Sequence, residues 1–120
     1  MSTSTESTYP DPVALTQRLV LFDTTNPPGN EAQCIQSITP LLDDAGIPNQ
    51  VFAKTPGRPN LIARLAGDGS APSLLLQGHI DVVPADPALW EHPPFGGELL
   101  DGYLWGRGSL DMKGGIAMML

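Results

Sequence analysis

Apolar side chains recur at three- and four-residue intervals in the first third of the chain, and this spacing predicts two helices. Val13, Leu15, Leu19 and Phe22 form the first apolar stripe, preceded by Asp11-Pro12, an N-cap followed by a first-turn proline. That helix is expected to end near Asp23, before a loop over 24–30 whose Asn26-Pro27-Pro28-Gly29 is turn chemistry. The second helix is expected over 31–45, with Ile35, Ile38, Leu42 and Ala45 inward and Gly46 as its stop. Pro40 lies inside it, and an interior proline costs about 3 kcal/mol, so a kink or break is predicted there.

Further on the pattern changes to short apolar runs between turns. Residues 51–53 read as a strand, Pro56-Gly57-Arg58-Pro59 as a turn, and 60–66 as a strand with alternating side chains. Residues 73–77 are apolar through their centre, as expected of a strand covered on both faces. A Pro-rich loop follows over 83–95, in which Trp90 and Phe95, with Trp105 beyond, read as packing residues. Asp101-Gly102 between Glu98-Leu99-Leu100 and Tyr103-Leu104-Trp105 is a hairpin signal. A last helix is predicted from about Lys113, carrying Ile116, Met119 and Leu120. The elements add up to an α/β fold, a partial mixed β-sheet flanked by helices, over residues 11–120, behind a Ser/Thr-rich tail over 1–10 expected to be disordered. The chain stops inside a predicted helix that has no cap, so a longer protein is expected.

A chain of 120 residues suits one domain. The net charge of −7 argues against nucleic acid and against an anionic membrane surface as partners. No apolar stretch approaches the ~20 residues of a membrane span, and no secretory signal is visible. Cys34 is the single cysteine and cannot form an internal disulfide, which suits a reducing, cytoplasmic setting; it reads as a small buried apolar side chain.

The candidate chemistry lies in two segments. In Gly78-His79-Ile80-Asp81-Val82-Val83-Pro84, His79 and Asp81 are two apart, so on an extended segment they point the same way. A neutral imidazole is a good zinc donor, and a carboxylate on its other nitrogen fixes the tautomer. The alternative is a histidine hydrogen-bonded in a turn beside a solvated aspartate. In Gly106-Arg107-Gly108-Ser109-Leu110-Asp111-Met112-Lys113-Gly114-Gly115, glycines on both sides let Asp111 approach an ion closely, though Asp111 could equally cap the helix that follows. A dinucleotide fingerprint would need glycine where Asp111 stands, and a P-loop would need Ser or Thr after Lys113. Lys113 reads as a surface or C-cap-type charge, His92 as a surface-loop histidine, and Glu31, Glu91 and Glu98 as isolated carboxylates.

These segments, with Thr25-Asn26-Pro27-Pro28-Gly29-Asn30-Glu31, Trp90, Pro93-Pro94-Phe95 and Asp101-Gly102, occur in the order and spacing of a known family. From about Val13 to Leu120 the chain resembles the N-terminal part of the zinc metallohydrolases that include aminoacylases, acetylornithine deacetylase, succinyl-diaminopimelate desuccinylase and glutamate carboxypeptidases. The resemblance implies that His79 binds one zinc, that Asp111 bridges two, and that Asp81 orients His79 at the catalytic centre. It implies hydrolysis of the amide bond of a small N-acyl amino acid or peptide, with cobalt or manganese as alternative metals. It also implies a Glu-Glu pair supplying the general base and a ligand, further ligands, and a smaller domain that mediates a homodimer. None of those lies in this chain, so residues 1–120 alone are expected to be inactive. The reading set against it is a non-catalytic binding or assembly domain that keeps the fold.

Overall fold

The computed structural model describes residues 9–120; the tail expected over 1–10 falls outside the described residues at 1–8. Helix α1 spans Pro12–Val20, and Asp11 Oδ1 accepts from the amides of Val13 (2.9 Å) and Ala14 (3.1 Å), the N-cap the sequence predicts. Leu15, Leu19 and Val20 are buried, whereas Val13 is exposed. Positions 13 and 15 are about 200° apart on a helix, so they cannot share a face. Helix α2 spans Ala32–Asp44 and buries Cys34, Ile35, Ile38 and Leu42. It runs through Pro40 without the predicted break. The ring is exposed, and Thr39 Oγ1 donates to the Gln36 carbonyl (3.4 Å) that residue 40 cannot reach. Ala45, expected inward, is exposed because it is already the C-cap. Gly46 (φ 70°) then closes the helix, with Gly46 N–H on the Asp43 carbonyl (2.9 Å) and Ile47 N–H on that of Leu42 (2.8 Å).

Strands β1 (Asn49–Phe52) and β2 (Asn60–Ala63) pair antiparallel, Asn49 opposite Ala63 and Phe52 opposite Asn60. Strands β3 (Glu98–Leu100) and β4 (Tyr103–Trp105) form the predicted hairpin, with positive φ at Asp101 (51°) and Gly102 (80°) as such a two-residue turn requires. Helices and sheet therefore combine as an α/β fold, but as two separate antiparallel ladders in place of one mixed sheet. The strand expected over 73–77 does not form. Leu74, Leu75 and Leu76 are 83, 80 and 58% exposed. A strand apolar on both faces is stable only between neighbours, and among the described residues none lies beside it. Helix α3 spans Gly114–Met119. The core joins Leu15 and Leu19 of α1, four residues of α2 (Cys34, Ile35, Ile38, Leu42), Ile80, and Ala117 of α3.

Candidate metal centre

The site is built where three loops meet, and backbone pairing sets the first two. Asn26 N–H donates to the Val82 carbonyl (2.8 Å), Val82 N–H to that of Thr24 (3.1 Å), and Thr24 Oγ1 to that of Ile80 (2.5 Å). Thr25 and Val82 form a parallel bridge. This holds 79–82 extended with strict alternation: Ile80 and Val82 are buried, while His79 and Asp81 face the other way. The apolar pair is what orients the polar pair.

The third loop carries Asp111, and glycine lets it pack flat. A Cβ at Gly106 would lie 2.4 Å from Val20 Cγ1, and one at Gly108 (φ 86°) 2.4 Å from Val82 Cγ1. Residues 109–113 wind on a Lys113 N–H bond to the Gly108 carbonyl (2.8 Å), but Asp111 and Met112 leave helical geometry, turning the carboxylate outward. Lys113 is not the surface charge expected. It is fully buried, and its Nζ donates to the Phe22 carbonyl (2.7 Å) just past the end of α1, a C-cap-type role. Burial pulls its pKa down, against the pull of Cys34 and Asp23.

His79 and Asp111 converge: His79 Nε2 is 3.1 Å from Asp111 Oδ1, across 32 positions of chain. On the other side of the ring, Nδ1 faces the Asp81 backbone oxygen (3.0 Å) and Asp81 Oδ1 (3.1 Å). Asp81 offers Nδ1 two acceptors and Asp111 offers Nε2 one, so the neutral ring is assigned its proton on Nδ1, which leaves the Nε2 lone pair toward Asp111. Two lone pairs at that distance repel unless a proton or a cation lies between them. Burial lowers the His79 pKa, but the Asp81 carbonyl and the two carboxylates outweigh it and the net shift is upward. The Asp81 carboxyl is held below its ordinary range, first by the Asn26 side chain, whose Nδ2 donates to Oδ2 (3.0 Å), with His79 and Arg58 adding to it against burial.

Donors bonded to tetrahedral zinc at about 2.0–2.2 Å lie about 3.3–3.6 Å apart, so the 3.1 Å gap between Nε2 and Oδ1 is a little shorter than one edge of such a site. The donor chemistry fits a divalent cation, although among the described residues no group of three or more His, Cys, Asp or Glu could hold one. Asp111 is 85% exposed along its side chain, which leaves room for further donors.

Other expectations shift. His92 is tied down, with Nδ1 3.1 Å from Glu98 Oε2 and its ring edge-on to Trp105 at 4.4 Å. Arg107 stacks its guanidinium 5.2 Å from the Trp90 ring centre. Glu31 is buried and paired with Arg58 (Nη2 to Oε1 2.9 Å). Asn26 was legible only as a turn residue; nothing in a spacing of 55 positions links it to Asp81.

Residues 75–120 match the family model described as Peptidase family M20/M25/M40. Among curated proteins, a succinyl-diaminopimelate desuccinylase of a Methylobacterium species is 46% identical over 118 residues, covering 93% of this chain and 28% of that protein. Those of Cereibacter sphaeroides and Methylobacterium nodulans are each 44% identical, over 108 and 115 residues, covering 89% and 92% of this chain and 28% of theirs. The chain thus spans little more than a quarter of the length of the curated relatives it matches.

Proposed function

We propose a function from one premise: the chain belongs to peptidase family M20/M25/M40. The whole protein is a metal-dependent hydrolase of the amide bond in a small N-acyl amino acid or peptide, and a succinylated amino acid is the substrate class its relatives' names suggest. The observation that carries this reading is the approach of His79 Nε2 to Asp111 Oδ1 at 3.1 Å. The metal is zinc, two ions per site, with cobalt or manganese able to substitute. Bound there, it supplies an activated water and a polarised amide carbonyl.

The chain's own residues act around that ion. His79 offers Nε2 as a neutral donor. Asp81 accepts the Nδ1 proton, fixing the tautomer and the ring plane. Asp111 turns Oδ1 to the His79 side, and its largely exposed carboxylate would hold the metal together with that ring. Lys113 anchors the Asp111 loop to the end of α1 through the Phe22 carbonyl. The single cysteine favours a reducing, cytoplasmic setting; among the described residues no helix is long and apolar enough to cross a membrane.

The test uses the full-length protein. Chelation is expected to abolish hydrolysis of succinyl-diaminopimelate and added zinc to restore it. His79→Ala and Asp111→Ala should each remove bound zinc and cut kcat/KM at least ~100-fold. Wild-type zinc content and activity in both variants would refute the reading. Zinc binding without hydrolysis of any N-acyl amino acid would favour a binding domain.

A further inference from the structure

We propose that Asn26 is a positioning residue for Asp81. Its side-chain amide holds one carboxylate oxygen, so that the other stays on the His79 ring. The inference rests on the reading of His79 as a metal donor held from behind by Asp81.

The Asp81 carboxylate divides its two oxygens. Oδ1 lies 3.1 Å from His79 Nδ1, and Oδ2 accepts from Asn26 Nδ2 at 3.0 Å. The Asp81 side chain is 32% exposed, so without a second anchor it can turn toward water about both its bonds. An amide N–H is suited to this place: it donates to the carboxylate oxygen without adding charge. Asn26 is itself held by backbone. Its N–H is bonded to the Val82 carbonyl (2.8 Å), and Gly29 N–H closes the turn on Thr25 (2.8 Å). Gly29 has positive φ (82°), and a Cβ there would overlap the Arg58 guanidinium, which packs along this turn with its charge acting on Asp81. The turn over 25–30 therefore presents one neutral donor and one nearby cation to the same carboxylate. Because the backbone bond of residue 26 survives any non-proline substitution, the side-chain amide can be removed with the pairing of the two loops left in place.

The experiment measures zinc affinity by chelator competition, with the metal alone, in the full-length protein. Wild type is compared with Asn26→Ala, Asn26→Leu, Asp81→Ala, His79→Ala and the double variant Asn26→Ala/Asp81→Ala. Thermal unfolding of the metal-free forms checks folding, and Asn26→Leu keeps the side-chain volume if Asn26→Ala folds poorly. Asp81→Ala is expected to weaken zinc binding about 10–100-fold, and either Asn26 variant about 3–10-fold. In the Asp81→Ala background Asn26→Ala should change affinity less than about twofold, since its effect runs through Asp81. The proposal is overturned if Asn26→Leu binds zinc as wild type does while Asp81→Ala is weakened. It is equally overturned if the Asn26→Ala loss persists in the double variant. Asp81→Ala with wild-type affinity also overturns it. Loss of zinc by His79→Ala in that same series would show that the metal reading stands and only the Asn26 assignment has failed.

Discussion

Replacing Gly108 with alanine probes the packing that brings Asp111 to His79. Two costs are readable at that position. The backbone sits at φ 86°, in the left-handed region where a Cβ costs ~1–2 kcal/mol. The new Cβ would also stand 2.4 Å from Val82 Cγ1, so Val82 or the loop must move, and overpacking of that kind costs about 1–3 kcal/mol. The sum is about 2–5 kcal/mol. Gly106→Ala separates the two costs, because its Cβ would meet Val20 Cγ1 at 2.4 Å without a left-handed φ; about 1–3 kcal/mol is expected. Urea unfolding of the full-length protein, followed by tryptophan fluorescence, reads these differences, and Trp90 and Trp105 lie close to the loop in sequence. Val82→Ala should cost less in the Gly108→Ala background than alone, by ~0.5–3 kcal/mol, because it removes the clashing methyl. Zinc affinity should fall with Gly108→Ala, since the displaced loop carries Asp111. A Gly108→Ala protein within about 0.5 kcal/mol of wild type would refute the packing argument.

Burial raises the Cys34 pKa from 9.0 to about 11, so at pH 8 only ~0.1% is thiolate. A thiol reagent should therefore react at least ~100-fold more slowly with the native protein than with the urea-unfolded one; equal rates would contradict the burial of Cys34. Since the unfolded chain loses this proton first, its contribution to stability is complete below pH 9.0 and is lost as the pH rises toward 11. Cys34→Ala should flatten that part of a urea-midpoint profile. Lys113→Ala removes a fully buried stem and the bond to the Phe22 carbonyl, and should cost about 2–5 kcal/mol in urea unfolding. Lys54→Ala, at an exposed position, should stay within ~0.5 kcal/mol.

Local rules that need only neighbouring residues were readable from the sequence. Asp11-Pro12 starts α1, Gly46 ends α2, and Asp101-Gly102 turns the β3–β4 hairpin, because capping and left-handed φ are properties of a few adjacent residues. The His79-x-Asp81 spacing likewise placed both polar side chains on one face, since alternation along an extended segment is itself local. What depends on distant chain was not readable. Lys113 was expected as a surface or C-cap-type charge, but nothing local showed that it would be buried or that the helix end it meets lies 91 positions away. The run Leu74-Leu75-Leu76 carries strand chemistry, but a strand exists only when another lies beside it. The bond from Asn26 to Asp81 was likewise decided in three dimensions, and the approach of Asp111 to His79 was expected only through the resemblance to known metallohydrolases, not from the spacing. Hydrogen bonds and close contacts depend on distances of a few ångströms in space, and separation along the chain sets those only within a turn or a single strand.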